Sequence, residues 1–246
     1  MTSPIFALRN VGRSYGGVRA LHGIDLDVEQ GQVLAICGDN GAGKSTLIRI
    51  MSGAQPPSEG TLALRGTEVR FRSPHDALAQ GVATIYQDLA LAPRLSIAAN
   101  VFMGAELTRR FPPILDKARM RREAQGYLAR LSPGLRDMRR PVEGLSGGQR
   151  QAVAIARALR WDAEVIIMDE PTAALGVRET AQVLDLVRRL KDEGRTIVLI
   201  SHNMADVVAV ADRVAILRSG RKVTDRPLGG LTAADLARLI MTTEPA

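Results

Sequence analysis

The 246-residue sequence is poor in sulfur chemistry and in aromatic rings. Its one cysteine, Cys37, excludes an internal disulfide framework and suits a reducing compartment. Phe, Trp and Tyr together make up 3% of the chain, so the core is expected to be aliphatic and alanine-rich. No aromatic residues interleave with the positive charges, as a platform for stacking bases would require. No run of about eighteen consecutive apolar residues occurs, so no segment is expected to span a bilayer. The opening MTSPIFALRN lacks a basic region followed by an apolar one, which argues against a secretory signal. Internal repeats and low-complexity segments are also missing.

Hydrophobic residues make up 46% and charged residues 24%, an ordinary balance for a globular protein. The length suits one large domain, or a domain with a modest subdomain. The formal net charge is +7, unevenly spread. Arg109, Arg110, Lys117, Arg119, Arg121, Arg122, Arg130, Arg136, Arg139 and Arg140 crowd one stretch, opposed there only by Asp116, Glu123 and Asp137. That stretch reads as a solvated helical face, or as a surface resting near lipid headgroups or an acidic partner; nucleic acid ranks behind both.

Hydrophobic patterning predicts strands over 5–11 and 18–28 joined by a Gly16-Gly17 turn, a buried strand Val33–Cys37, and a helix from Ser45 to Ser52. It further predicts a hairpin from Gly60 to Phe71 turning at Gly66, and a strand Val82–Tyr86. From Gln87 to Gly144 the signals are helical and basic, broken by Pro93, Pro112-Pro113, Pro133 and Pro141. Alternation resumes with a helix from Gly147, a strand Val165–Met168, a helix from Val177 and a strand Thr196–Ile200. A short helix, a strand Arg213–Leu217 and a helix from Thr232 to Met241 follow. Such alternation implies an α/β fold with a mostly parallel sheet, an N-terminal antiparallel β region and an inserted helical subdomain. The expected division is a core of residues 1–86 and 144–224, an insert of 87–143 and a helical tail of 225–246.

Residues 38–46 read GDNGAGKST, between a strand and a helix. Gly38, Gly43, Lys44 and Ser45 fit the GxxxxGK[ST] spacing in the context that motif needs. Glycines let the backbone curl with its amides inward, and the helix start adds a positive dipole end. Gly38, Asp39, Asn40, Gly41, Ala42, Gly43, Lys44, Ser45 and Thr46 are therefore the candidate phosphate-binding run. Lys44 is placed to reach the β- and γ-phosphates, the Ser45 hydroxyl to coordinate Mg²⁺, and Thr46 to touch the α-phosphate. The bound group is a nucleoside triphosphate.

The apolar run Val165–Met168 ends in Asp169-Glu170, at the carboxyl end of a strand where open α/β sheets bind ligands. Asp169 is positioned to hold Mg²⁺, and Glu170 to orient or deprotonate the attacking water. An acidic pair at a strand end also occurs as plain solvated polarity. Leu145-Ser146-Gly147-Gly148-Gln149 then opens a helix. Ser146 is a good N-cap, and the glycines are expected to expose amides as a second anion site. One nucleotide does not need two such sites from one molecule. Two molecules placed head to tail would use both.

On these residues the sequence resembles the ATP-binding subunits of ABC transporters over nearly its whole length. The resemblance implies that Tyr15 stacks on adenine, that Gln87 contacts Mg²⁺ or water and opens the helical subdomain, and that His202 reaches the γ-phosphate. It implies ATP and Mg²⁺ as cofactors, with Ser45, Gln87 and Asp169 around the metal. Glu170, His202 and Gln87 are the implied hydrolytic set. Ser146, Gly147, Gly148 and Gln149 would meet a partner's nucleotide. Gly176 departs from the pattern, because the family usually carries an acidic residue there.

Asn40, YQDLAL from Tyr86 and EPTAALGVRE from Glu170 resemble ATPases that energise bacterial monosaccharide uptake. Many of that branch are tandem duplications. This single copy is expected to pair with itself or a second subunit, with membrane permease subunits and a solute-binding protein, at the cytoplasmic face of the plasma membrane. Nucleic acid is not an expected partner. Two alternatives stay open: an ABC ATPase working on nucleic acid or ribosomes, and a regulatory module that binds ATP without useful turnover.

Overall fold

The computed structural model describes residues 4–111 and 114–242. Pro112-Pro113, expected to break the helical block, and the last four residues of the expected tail lie outside them. Strands β1 (Phe6–Tyr15), β2 (Val18–Val28), β4 (Glu59–Leu64) and β5 (Thr67–Val69) form an antiparallel sheet in the order β2-β1-β4-β5. A second sheet runs β10-β9-β3-β8-β7-β6. Its members are β3 (Val33–Cys37), β6 (Val82–Ile85), β7 (Val165–Asp169), β8 (Thr196–Ile200), β9 (Arg213–Arg218) and β10 (Arg221–Pro227). All neighbours in it are parallel except β9 and β10.

The parallel strands are mostly apolar because both faces are covered. Val165 and Ile167 of β7 face the core shared with the antiparallel sheet and α1 (Lys44–Met51), whereas Ile166 and Met168 face the opposite core. That opposite core is filled by α3 (Ile97–Phe102), α4 (Lys117–Leu131), α5 (Gly147–Arg160) and α6 (Val177–Asp192). A smaller cluster sits under α7 (Met204–Val210) and α8 (Ala233–Thr242).

The basic stretch resolves into a cap and a face. Asp116 caps α4 by accepting from the Arg119 amide at 3.0 Å. Met120, Ala124, Leu128 and Leu131 recur at helical spacing and are buried, which turns the arginines outward. Arg119 pairs with Glu123 and Arg130 with Glu193, so part of the charge is spent on surface ties.

The predicted elements occur close to their expected bounds. The patterning did not anticipate α2 (Pro74–Ala79) or β10. β10 continues three residues into the expected helical tail, through Asp225, Arg226 and Pro227.

Parallel order has one consequence for chemistry. The carboxyl ends of β3, β6, β7 and β8 lie on one edge of the sheet, and the register pairs Ile36 with Ile200, Asp169 with Ile200, and Ile85 with Met168. The segments at 38–46, 87, 169–170 and 202 emerge from those ends together.

Candidate active site

β3 ends at Cys37, and the chain turns sharply into α1. Gly43, the N-cap, has φ 102°, and a Cβ there would come within 2.7 Å of Leu21 Cδ2. Only glycine suits both the dihedral and the space. No side chain caps α1 and its first turn holds no acid, so its leading amides and positive dipole end are uncompensated. Lys44 is 8% exposed, and its Nζ donates to the carbonyls of Gly38 at 2.6 Å and Asp39 at 2.9 Å. A buried ammonium whose hydrogen bonds, among the described residues, go to two backbone carbonyls fits a multiply charged anion. The Gly220 amide, in the β9–β10 turn, donates to Ala42 O at 3.0 Å and steadies the loop from behind. Cys37 is buried, as the last residue of the expected buried strand, and burial pushes its thiol up to about 12 against the pull of Lys44.

β7 delivers Asp169 and Glu170 beside this loop. Burial raises the Asp169 carboxyl above its usual range, and the neighbouring Glu170 charge adds to that, while Lys44 and Arg49 oppose it. Two adjacent carboxylates in a partly desolvated strand end favour a hard cation, and the exposed Ser45 hydroxyl belongs to the same oxygen chemistry. Glu170 sits in the left-handed region at φ 49°, with its amide donating to Ile200 O at 2.9 Å. That conformation is uncommon for a non-glycine residue. It leaves Glu170 Oε1 3.0 Å from His202 Nδ1. Gly38, Asp39, Asn40, Glu170 and His202 line one open cleft, closed on the far side by Ala237, Ile240 and Met241.

Gln87, exposed just past β6, lines a second cleft with Glu170, Gly147 and Leu175. Sequence patterning missed what steadies it. Arg157, on α5, donates to Leu89 O at 2.8 Å and Ala90 O at 3.0 Å, fixing the segment after Gln87. Tyr15 is 41% exposed. Its hydroxyl donates to Gln55 Oε1 at 2.7 Å, and Gln55 Nε2 reaches Thr46 O at 3.4 Å, linking the ring to α1. The Arg13 guanidinium lies 5.0 Å from the Tyr15 ring centre.

Ser146 caps α5 in a reciprocal box, with Gln149 N donating to Ser146 Oγ at 3.3 Å and Ser146 N donating to Gln149 Oε1 at 3.1 Å. The two glycines are not outward-facing as expected. Both are buried against the start of α6, and the Gly147 amide donates to Glu179 Oε1 at 2.7 Å. A Cβ on Gly148 would lie 2.7 Å from Gln182 Oε1, the movable end of a side chain on α6. Ser146 to Gln149 do not line the cleft that holds the phosphate loop and His202.

A phosphate-binding loop, an acid pair and a histidine at adjacent strand ends, with a capped glycine helix start on another cleft, make a nucleotide-hydrolysing arrangement. The family described as ABC transporter matches residues 21–173, from β2 to just past Glu170. The chain belongs to the ABC transporter family. Within it, this chain is the ATP-binding and ATP-hydrolysing subunit, with an α/β P-loop core.

The xylose/arabinose import ATP-binding protein XylG of Sulfolobus acidocaldarius is 47% identical over 219 residues, 89% of this chain and 86% of that protein. The fructose import ATP-binding protein FrcA of Rhizobium meliloti is 48% identical over 228 residues, 89% of this chain and 87% of that protein. The ribose import ATP-binding protein RbsA of Yersinia pestis is 40% identical over 240 residues, 97% of this chain but 46% of that protein. Among solved structures, the ADP conformation of the ABC transporter cassette MJ1267 superposes with a TM-score of 0.82 at 25% identity, covering 98% of this chain and 96% of that one. A dimeric post-hydrolysis state of the cassette MJ0796 bound to ADP and Pi gives 0.74 at 25% identity, covering 92% and 100%. No helix among the described residues of this ABC subunit is long and apolar enough to cross a membrane.

Proposed function

We propose that this protein energises uptake of a monosaccharide by closing with a second copy of itself around ATP and Mg²⁺. The reading includes separate permease subunits, a solute-binding protein on the far side, and a place at the cytoplasmic face of the plasma membrane. The sugar preference rests on three import relatives that act, by their names, on xylose and arabinose, fructose, and ribose. The observation that carries the two-chain site is the division of labour within one chain: the phosphate loop and the Ser146 helix start line different clefts.

Each residue then has a task. The unsatisfied amides of α1 and the Lys44 ammonium take the β- and γ-phosphate charge. Tyr15 covers the base. Ser45, Asp169 and Gln87 would hold Mg²⁺, which supplies charge neutralisation for the phosphate oxygens when bound. Glu170 orients water and accepts its proton, and His202, already beside Glu170, holds that carboxylate in line and reaches toward the γ-phosphate. Ser146, exposed at the helix start, and Gln149 close the site from the partner.

The test is sugar uptake in cells that carry the cognate permease and binding protein. Deletion of this subunit is expected to abolish uptake of one labelled pentose or hexose, and the wild-type subunit, but not Lys44→Ala, to restore it. Uptake unchanged by the deletion for every monosaccharide tried would overturn the sugar reading.

A further inference from the structure

We infer that Glu179 is a positioning residue that clamps the start of α5 to the loop between Glu170 and α6, so that the segment meeting a partner's nucleotide and the segment carrying the attacking-water residue move as one. This rests on the two-chain reading above.

The Glu179 carboxylate spans two elements. One oxygen accepts from the Gly147 amide at 2.7 Å, the other from the Gly176 amide at 3.4 Å. Gly147 belongs to the helix start that faces the partner, and Gly176 ends the loop that Glu170 begins. The bond to Gly147 satisfies one of the amides that a helix start leaves over, with a charged acceptor that makes the bond strong. The contact is close on both sides: a Cβ at Gly147 would lie 3.2 Å from each Glu179 oxygen. The loop is also held near its other end, where Thr172 Oγ1 donates to Asp206 Oδ2 at 2.7 Å, and Asp206 is buried. The loop is thus tied to α7 at Thr172 and, through Glu179, to α5 at Gly147.

This arrangement also bears on Gly176. The acidic side chain missing from that position has a counterpart three residues on, turned inward onto the same subunit's α5. A shift of the Ser146 helix start as a partner's phosphate arrives is therefore passed through Glu179 to the loop and on toward Glu170.

A plain helix cap for α6 is the competing role, and three variants separate the two. Glu179→Gln keeps an oxygen for the Gly147 amide. Glu179→Asp keeps an acid in the first turn of α6, where the dipole favours it, but is one methylene too short to span the gap. Glu179→Ala removes both roles. Each is made in the full chain, and ATP-driven dimerisation in the Glu170→Gln background is measured beside the Hill coefficient for hydrolysis with Glu170 intact. Loss of a charge-assisted bond predicts that Glu179→Ala and Glu179→Asp dimerise about tenfold less tightly, with Hill coefficients near unity. Glu179→Gln keeps the oxygen at Gly147 but loses the charge and turns an NH2 group toward the Gly176 amide, so it is expected to fall between the parent and Glu179→Ala in both. If Glu179→Asp matches the parent in dimerisation and Hill coefficient, the clamp is refuted, whether or not Glu179→Ala folds. Failure of the Glu170→Gln parent itself to dimerise would speak against the two-chain reading instead.

Discussion

Glu170 and His202 face each other across 3.0 Å, from the ends of two adjacent parallel strands. The Glu170 backbone adopts a left-handed conformation, φ 49°, in making that approach. The two members of the pair should fail differently. Glu170→Gln is expected to bind MgATP normally but to lose about 10²–10⁴ in kcat, since an amide cannot accept a proton. His202→Ala keeps the base and should lose less. Single-turnover hydrolysis with a separate nucleotide-binding measurement resolves the two, and equal rates for Glu170→Gln and wild type would remove Glu170 from the chemistry.

The Asp169 carboxyl gives a pH signature. Its folded pKa lies above the ordinary 3.8 because of burial and then the Glu170 charge. A raised acid binds more protons folded than unfolded, so stability falls as pH climbs from the ordinary aspartate range through the folded value. Asp169→Asn is expected to raise the melting temperature of the nucleotide-free protein at neutral pH and to flatten that decline. It should also lose the gain in ATP affinity that Mg²⁺ gives the wild type. A melting temperature at pH 7 below that of wild type would contradict this assignment of strain.

Much of this site is legible in the sequence because its motifs are local. The phosphate loop, the acid pair after an apolar strand and the Ser146 helix start each depend on neighbours in the chain. What stays hidden depends on residues far apart. Glu179 reaches Gly147 across 32 positions, and Arg157 reaches Leu89 across 68, with no pattern to mark either pair. β10, with the sequence RKVTDRP, escapes because an edge strand needs no apolar alternation. It is held by its ladder to β9 and by Asp225 between Arg213 and Lys222. α2 did carry a signal, a Ser73 cap followed by Pro74, but its six residues bury only Ala77. The outward amides expected at Gly147 failed for the same reason: only the fold reveals that α6 covers them.

Gly176 turns out not to need glycine for its backbone. Its φ is −72°, and a Cβ would meet nothing within 4 Å. It is the N-cap of α6, where aspartate is preferred over glycine by only a few tenths of a kcal/mol. Gly176→Asp is thus expected to be stabilised slightly and to change the ATPase rate only a few-fold, with cooperativity kept. Thermal melting and a Hill plot check both. Cooperativity that appears only in the aspartate variant would mean that the native loop transmits poorly.

The central claim is that a working site takes its phosphate loop from one chain and its Ser146 helix start from another. Mixing two defective chains tests it most directly. Both carry Glu170→Gln to trap the closed state; one adds Lys44→Ala, the other Ser146→Arg. Each alone lacks half of every site, whereas a mixed pair contains one site with both halves intact. Light scattering after size exclusion in MgATP is expected to show monomers for either chain alone and dimers on mixing. Dimers from the Ser146→Arg chain alone, or a mixture that stays monomeric while the Glu170→Gln parent dimerises, would contradict the shared site.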